Sequence, residues 1–550
     1  MTSNREMEND IINTDQNILK GEMLLDAVAQ KKGTKGLVKA LETAMEQGDL
    51  KASQVLLLAG LETPEVAKYV AARIPQFVKL PGTNTEIRSN ILKRFPLDLA
   101  NGLSIEIVEA VLENVAGKAD YQQLLLLAHK HTGHFRFGWQ LSKDLTMGGN
   151  LDQAVIVLDE MEERGHQHTF IYQSHAEYLS VLGQHKRAIE ISHKISNENP
   201  TETNLKRSYL RMLMAGGSLA ELERELPIIL AANPSDWMLA AFLHRARVSA
   251  ATLIKCFALL VPPNTSSDPR YILYYAASAI AVNDLDAVRA ALTLNIPDEI
   301  AYAQSFKRGV QYVLDRDIKI SSRFVCDPTQ SYQVVKAGKG KPTVVVCLSN
   351  SGINFSFLSI GFIDQLLSEF DVNVIYLHES RKMLFHGGIE GLGDTEAETL
   401  AAIERLHDEL DSSLKVTMGA SLGGYGAARY GHLSKANAVL SFSGPTDMFQ
   451  FTEAAIPQAI HSPQFLIMQQ VRRTLTAQDC KLKSVIETSG TKHYQFYGEQ
   501  ASIDTIQANN IANLSNVELI PVPEITDHFV FGYCVANGQL QKILSEVLTN

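Results

Sequence analysis

The fold of the C-terminal part of this chain is decided by the stretch Val416-Thr417-Met418-Gly419-Ala420-Ser421-Leu422-Gly423-Gly424-Tyr425-Gly426. Its apolar first residues predict a short strand, and its glycine-rich remainder predicts a tight turn that leads into a helix. Small residues on both sides of Ser421 allow the strand and the helix to approach each other closely. The stretch therefore predicts a serine at the apex of a sharp corner, with its hydroxyl available for chemistry.

Short β-rich runs alternate with helical patterns on both sides of this corner. The predicted strands are Pro342–Leu348, Val372–Leu377, Leu414–Met418, Ala436–Phe442, His493–Tyr497 and Val517–Val522. Continuous apolar strands separated by helices are typical of a parallel, doubly wound sheet. The sequence therefore predicts an α/β domain over residues 319–550.

The pattern Gly419-x-Ser421-x-Gly423, placed between a strand and a helix, resembles the nucleophile elbow of the α/β-hydrolase superfamily. The resemblance implies a serine hydrolase that cleaves an ester, thioester or amide through an acyl-serine intermediate, with carboxylester hydrolysis the most frequent outcome. Two alternatives stay open. One is an acyltransferase that uses the same residues, and the other is a non-catalytic interaction or scaffold protein.

The resemblance also implies an acid and a histidine that follow the serine along the chain. His528 comes after the last predicted strand and before the last helix, where this fold carries its base. Asp504, between a strand and a helix, is the predicted acid. Glu499 in the same loop and Asp447 after the preceding strand stay open as alternatives, and Asp527 is disfavoured because it adjoins His528 in sequence.

An oxyanion hole is expected from two backbone amides. One belongs to Leu422, the residue after the nucleophile, and the other to Ser351 or Gly352 in the small polar loop after the first apolar strand. The glycine-rich loop His386–Gly393 and the segment Phe449–Thr476, where this fold carries its cap, could shape a substrate pocket. The cap's apolar residues are Phe449, Phe451, Ile456, Ile460, Phe465 and Leu466. No cofactor or metal motif is recognised.

The residues from 19 to 318 have a helical periodicity without strand-like runs. Gly149, Gly183 and Gly217 lie 34 residues apart, and each precedes a similar helical segment. A period of 34 with helix–turn–helix character resembles the tetratricopeptide repeat, most clearly over residues 135–234. The resemblance implies a surface that binds a protein or peptide partner. A fragment from about residue 318 to 550 is therefore expected to retain the chemistry.

Composition excludes several other classes of protein. The net charge of −11 argues against nucleic acid as a main partner, and no apolar run is long enough for a membrane span. Residues 1–18 are polar and acidic and are predicted to be a disordered leader rather than a signal peptide. Five scattered cysteines without metal-ligand spacing are typical of reduced thiols in a cytoplasmic protein.

Overall fold

The structure, a computed structural model, describes residues 35–94, 103–113, 115, 118–300, 302–319, 321, 323, 327, 329–348, 354–356, 358–455, 463–523, 525–526 and 528–549. The predicted leader, residues 1–18, lies outside these ranges. The chain divides into two compact units, Met1–Ile171 and Tyr172–Asn550. Each unit is described by itself.

The first unit is helical throughout its described part. Its helices are α1 (residues 35–46), α2 (Leu50–Leu61), α3 (Pro64–Ala71), α4 (Ile74–Phe77), α5 (Thr85–Arg94), α6 (Leu103–Leu112), α7 (Lys118–Thr132), α8 (Phe135–Met147) and α9 (Leu151–Glu163). A tenth helix, α10 (Thr169–Val181), runs through the division between the units. Helices α8 and α9 are joined at Gly149, whose φ of 79° lies in the left-handed region that glycine adopts without strain.

The second unit begins with further helices. They are α11 (His185–Glu198), α12 (Thr203–Ala215), α13 (Leu219–Ala232), α14 (Trp237–Arg245), α15 (Ala250–Phe257), α16 (Pro269–Ala281), α17 (Leu285–Leu292) and α18 (Ala303–Asp315). Gly183 and Gly217 end α10 and α12 with φ values of 78° and 68°. The glycines of the 34-residue period therefore all stand at turns between paired helices, which is compatible with a helical repeat region.

A seven-stranded, mostly parallel sheet follows the helices. The strands are β1 (Tyr332–Val335), β2 (Thr343–Leu348), β3 (Asn354–Phe355), β4 (Leu358–Ser359), β5 (Asn373–His378), β6 (Lys415–Ala420), β7 (Ala438–Phe442), β8 (Lys492–Gly498) and β9 (Val517–Val522). Their order in the sheet is β1-β5-β2-β6-β7-β8-β9, and β3 and β4 form a separate hairpin. Among the strands that the structure describes, the edge strand β1 is the antiparallel member of this sheet, and the others are parallel.

Helices cover both faces of the sheet. They are α19 (Ile360–Ser368), α20 (Glu396–Glu409), α21 (Leu422–Leu433), α22 (Met448–Ala455), α23 (Pro463–Thr474), α24 (Lys483–Ser489), α25 (Ser502–Asn509), α26 (Phe531–Ala536) and α27 (Gln539–Thr549). Residues of β2 are fully buried, with Val344 and Val346 in one core cluster and Val345 and Cys347 in another. Alternate side chains of a strand point to opposite faces, so both faces are packed.

The predicted fold class is confirmed. An all-helical region precedes a mostly parallel sheet with helices on both faces, consistent with an α/β-hydrolase domain. Strand β1 was not predicted from the sequence. It has four residues, and because only Val335 among them is buried, it lacks the continuous apolar run of a strand such as β2. Its Cα partners lie on β5, so the sheet itself rather than local sequence defines this strand.

The change from helix to strand lies between Asp315 and Tyr332, whereas the two compact units divide near residue 171. The division near residue 171 places helices that precede the sheet in the same unit as the sheet. One reason is that α18 packs on α26, a helix at the C-terminal end of the sheet domain. The hydroxyl of Ser305 accepts a hydrogen bond from the Gly532 amide at 3.1 Å, and a Cβ on Gly532 would lie 2.0 Å from the Ser305 carbonyl oxygen. The domain limits 19–318 and 319–550 stay a prediction.

Two general features bear on the sequence-based expectations. Within the described ranges, no helix combines the length and apolar character needed to cross a membrane. The described cysteines are free and buried: Cys256, Cys347, Cys480 and Cys534. Cys326 lies outside the described residues.

Candidate active site

Ser421 occupies a strained turn between β6 and α21. Its φ of 52° and ψ of −124° are rarely adopted by a residue with a side chain. Its backbone amide donates to the Phe442 carbonyl at 2.8 Å, which ties the turn to the neighbouring strand. Both glycines of the pattern are required by close backbone contacts. A Cβ on Gly419 would lie 2.0 Å from the Gly423 carbonyl oxygen, and a Cβ on Gly423 would lie 2.3 Å from the Cys347 carbonyl oxygen.

A chain of two hydrogen bonds links Ser421, His528 and Asp504. The Ser421 Oγ is 2.8 Å from His528 Nε2, and His528 Nδ1 is 2.6 Å from Asp504 Oδ1. Ser421 follows β6, Asp504 lies in the first turn of α25 after β8, and His528 comes after β9, so all three follow carboxyl ends of parallel strands in one sheet. Asp504 is 3% exposed, which shields its bond to His528 from water.

The other carboxylates considered from the sequence have different positions. Glu499 is exposed. Asp447 accepts hydrogen bonds from the amides of Phe449 and Gln450 at the start of α22. Its second carboxylate oxygen lies 3.6 Å from the ammonium nitrogen of Lys481. The structure therefore brings Asp504, and neither Glu499 nor Asp447, to His528. Asp527 lies outside the described residues.

The predicted oxyanion-hole residues are only partly described. Leu422 is the first residue of α21, where a backbone N–H has no acceptor within the helix and points out of its N-terminus. This position follows Ser421 directly, so the amide is available to an oxygen near the serine hydroxyl. Ser351 and Gly352 lie outside the described residues.

Aromatic side chains surround His528. The Phe451 ring lies 5.4 Å from the imidazole, centroid to centroid, and the Phe529 ring lies 4.9 Å from it. Tyr302, just before α18, packs on Phe529 at 4.1 Å. The predicted cap therefore contributes Phe451 to the site. The sequence missed Tyr302, because it lies more than two hundred residues from His528 in the chain and belongs to no recognisable motif.

The other apolar cap residues have different environments. Phe449 is partly buried against the same core cluster as Phe451. Phe465 and Leu466 are buried at 2% and 4% exposure, so they belong to the protein interior. Ile456 and Ile460 lie outside the described residues.

The glycine-rich loop His386–Gly393 forms a compact turn rather than a loosely held segment. The Ile389 amide donates to Thr399 Oγ1 at 2.9 Å, and the Ile389 side chain is fully buried. A Cβ on Gly388 would lie 2.5 Å from the Gly393 carbonyl oxygen. The glycines therefore serve close backbone packing, which sequence alone does not distinguish from mobility.

Three further histidines of this region have hydrogen-bond partners away from Ser421. His386 Nε2 lies 2.8 Å from the Tyr425 hydroxyl. His432 Nε2 lies 2.9 Å from His493 Nδ1 inside the protein. Burial lowers the pKa of His432 to about 3 and that of His493 to about 4, so both are neutral at neutral pH.

Comparisons with known proteins found similarity to solved structures. No protein-family model matches the sequence, and no curated protein matches it significantly. Solved structures similar over the C-terminal region include an α/β hydrolase from a sediment metagenome of the Mar Chica lagoon in Morocco. The two sequences are 16% identical, the match covers 39% of this chain and 94% of the hydrolase, and the TM-score is 0.28.

Two further structures of this kind are an esterase of Pyrococcus furiosus and the capsule O-acetyltransferase of Neisseria meningitidis serogroup A. The esterase has 13% identity, 40% and 85% coverage of the two chains, and a TM-score of 0.30. The acetyltransferase has 12% identity, 39% and 91% coverage, and a TM-score of 0.29. These likenesses concern the fold alone.

Proposed function

We propose that this protein is a serine hydrolase that cleaves carboxylic esters through an acyl-serine intermediate on Ser421, and that it is cytoplasmic. The observation that carries the proposal is the chain of hydrogen bonds from Ser421 Oγ through the His528 imidazole to the buried Asp504 carboxylate. A serine hydroxyl is a weak nucleophile unless a base accepts its proton, and a histidine oriented by an acid provides that base.

The geometry gives each group a role in the proposed reaction. His528 Nε2 accepts the Ser421 proton as Oγ attacks the carbonyl carbon, and Asp504 stabilises the imidazolium through Nδ1–H. The Leu422 amide donates to the oxyanion that develops. His528 then returns the proton to the leaving alcohol. The same imidazole then deprotonates a water molecule that attacks the acyl carbon, and it passes this proton to Ser421 Oγ as the carboxylic acid is released.

A fluorophosphonate probe tests this proposal. We expect the purified protein to be labelled at Ser421 and to hydrolyse phenyl acetate. The Ser421→Ala variant should lose both, while Ser434→Ala, at the end of the same helix, should retain both. Turnover retained by Ser421→Ala, or a label found on another residue, would show that the proposed nucleophile is wrong.

The helical repeats are proposed to bind a protein or peptide partner. Glycine-linked helix pairs in both units support this proposal, because stacked pairs of this kind offer extended surfaces to a peptide segment. The test is recovery of the same protein by the full chain and by the Ser421→Ala variant from an extract of its native cell. Recovery of no protein by either form would contradict partner binding and leave the hydrolase proposal unaffected.

A further inference from the structure

The loop after β5 contains three strained residues close together. Lys382, Leu384 and Phe385 have φ values of 59°, 53° and 65°, a region that residues with side chains rarely occupy. Such strain persists only where the surroundings fix it, and it concentrates at functional sites. Here the Met383 amide donates to Glu379 Oε1 at 2.8 Å, which closes the loop over the end of the strand.

This loop packs against the first turns of α21, the helix that follows Ser421. The His386 imidazole contacts the Tyr425 hydroxyl at 2.8 Å. A Cβ on Gly426 would lie 2.5 Å from the Phe385 ring. Met383 packs against the same buried cluster as Leu422 and Phe451, and the Phe451 ring contacts His528.

The strand order places the loop at the edge of the sheet that carries Ser421. Strand β5 is parallel to β2, and β2 is parallel to β6, so the ends of β5 and β6 lie at the same edge. Lys382 follows the first of these strands and Ser421 follows the second. The loop that contains Lys382 therefore lies at the same edge of the sheet as Ser421, with β2 between the two strands.

Lys382 carries a positive charge without a direct partner. It is partly buried, and its ammonium group makes no hydrogen bond and no ion pair with the described residues, although Glu177, Glu379 and His185 are within electrostatic range. Its backbone amide donates to the Glu379 carboxylate. Glu177 is already paired with Arg211, at 2.5 Å between Oε1 and the guanidinium. Burial raises the pKa of Glu379 to about 7, so this carboxyl is only partly ionised at neutral pH.

The positive charge of Lys382 is therefore only partly offset by the carboxylates near it. Partial burial of an ammonium group is unfavourable unless an opposite charge or hydrogen bonds compensate, and desolvation indeed lowers the pKa of Lys382. An anionic ligand bound at this edge of the sheet would supply the missing compensation.

We propose that Lys382 binds an anionic group of the substrate, a carboxylate or a phosphate, so that the preferred substrates are esters of an acid or alcohol that bears a second, negatively charged group. This inference rests on the proposed function of Ser421. Lys382 would act as a specificity residue, because its contact is made in the bound substrate as well as in the transition state.

Matched ester pairs test the inference. On the alcohol side, 4-acetoxybenzoate is compared with neutral 4-acetoxybenzamide and with 4-acetoxyphenyl phosphate. On the acyl side, monophenyl adipate is compared with phenyl hexanoate. We expect at least one anionic ester to be preferred. Lys382→Met should lower its kcat/KM by about tenfold to a hundredfold, mainly through KM, and leave the neutral partner unchanged.

Two further variants separate binding from structure. Lys382→Arg should restore much of the preference for the anionic ester, because it restores the charge. Lys435→Met is the matched control, since Lys435 is exposed and also has a left-handed φ, 53°. Lys382→Met keeps a Cβ at the same backbone position, and we expect its thermal stability to equal or exceed that of the wild type.

The outcomes distinguish this inference from the proposed function. Labelling of Ser421 without any preference for anionic esters would overturn the inference alone. An equal loss on neutral and anionic esters, with a lower thermal stability of Lys382→Met, would show that Lys382 is a structural partner of Glu379 or Glu177. Absence of labelling and of turnover on every ester would overturn the proposed function itself.

Discussion

At the scale of single residues, Ser421 combines a reactive side chain with an unfavourable backbone. Its φ of 52° disfavours every residue except glycine. We therefore expect Ser421→Gly to be more stable than Ser421→Ala by about 1 kcal/mol, because glycine relieves the strain while alanine retains it. Urea unfolding of the two inactive variants measures the difference. Equal stabilities would mean that the turn relaxes without cost.

The acid that orients His528 gives a second prediction at this scale. Asp504→Asn should reduce turnover by about 10³- to 10⁴-fold, since an amide cannot stabilise the imidazolium and favours the wrong tautomer. Glu499→Gln is the matched control, because Glu499 lies in the same loop with an exposed side chain, and it should retain near-normal turnover. The opposite order of effects would assign the role to Glu499.

At the scale of elements, the corner between β6 and α21 depends on close backbone packing. A Cβ at Gly419 or Gly423 would lie within 2.3 Å of a carbonyl oxygen, so the strand, the helix or both must move. We expect Gly419→Ala and Gly423→Ala to destabilise the protein by more than about 2 kcal/mol and to abolish labelling. Gly148→Ala is the control, because its nearest contacts are ordinary, at 3.4 Å and beyond. Wild-type stability in both elbow variants would contradict this requirement.

A buried histidine pair links α21 to β8. His432 contacts Ser489 Oγ at 2.6 Å and His493 at 2.9 Å, and His493 Nε2 contacts Gln495 Oε1 at 3.0 Å. Every ring nitrogen of the pair thus has a partner while both imidazoles are neutral. Burial is the main cause that lowers both pKa values, to about 3 for His432 and about 4 for His493.

This pair predicts a loss of stability in mild acid. In the unfolded chain both histidines bind protons near pH 6.5, whereas in the folded protein they resist protonation down to pH 3 to 4. Their contribution is therefore fully present above about pH 6.5 and is lost as the pH falls toward 4, by up to about 1.4 kcal/mol per pH unit for each histidine. The double variant His432→Gln/His493→Gln should show a shallower loss across this window in urea unfolding. An unchanged slope would mean that other groups account for the acid sensitivity.

At the scale of the whole molecule, the helices after residue 171 and the sheet belong to one compact unit. Gly532 contacts Ser305, the Tyr533 hydroxyl donates to Gln304 Oε1 at 2.8 Å, and Tyr302 packs on Phe529 beside His528. The base of the candidate site is thus supported by a helix that precedes the sheet by some distance in the chain.

These contacts change the expectation for isolated fragments. A fragment of residues 172–550 should fold and be labelled at Ser421. A fragment of residues 318–550 should be less stable and weakly labelled, because it lacks α18 and exposes the apolar faces of α26 and β4. Thermal unfolding and probe labelling of both fragments provide the measurement. Equal stability and labelling of the two would show that the sheet domain folds without its helical support.

The sequence by itself determined the features that depend on local chemistry. Glycines two residues before and after Ser421 predict the corner, because no larger residue fits there, and the continuous apolar strands predict the buried parallel sheet. The order of serine, acid and histidine along the chain identified the residues that the structure joins by hydrogen bonds. The 34-residue helical period could likewise be recognised from local chemistry, since each of its glycines has a left-handed φ at a turn.

Only the tertiary structure decided which distant residues share the site. The sequence favoured Asp504 as the acid and left Glu499 open, and the structure decides between them because the start of α25 directs Asp504 to His528 while Glu499 faces solvent. Tyr302, Lys382 and strand β1 carry no local signal, since their positions depend on contacts with segments far away in the chain. Local patterns specify turns and faces, whereas partnerships between elements depend on the packing of the whole unit.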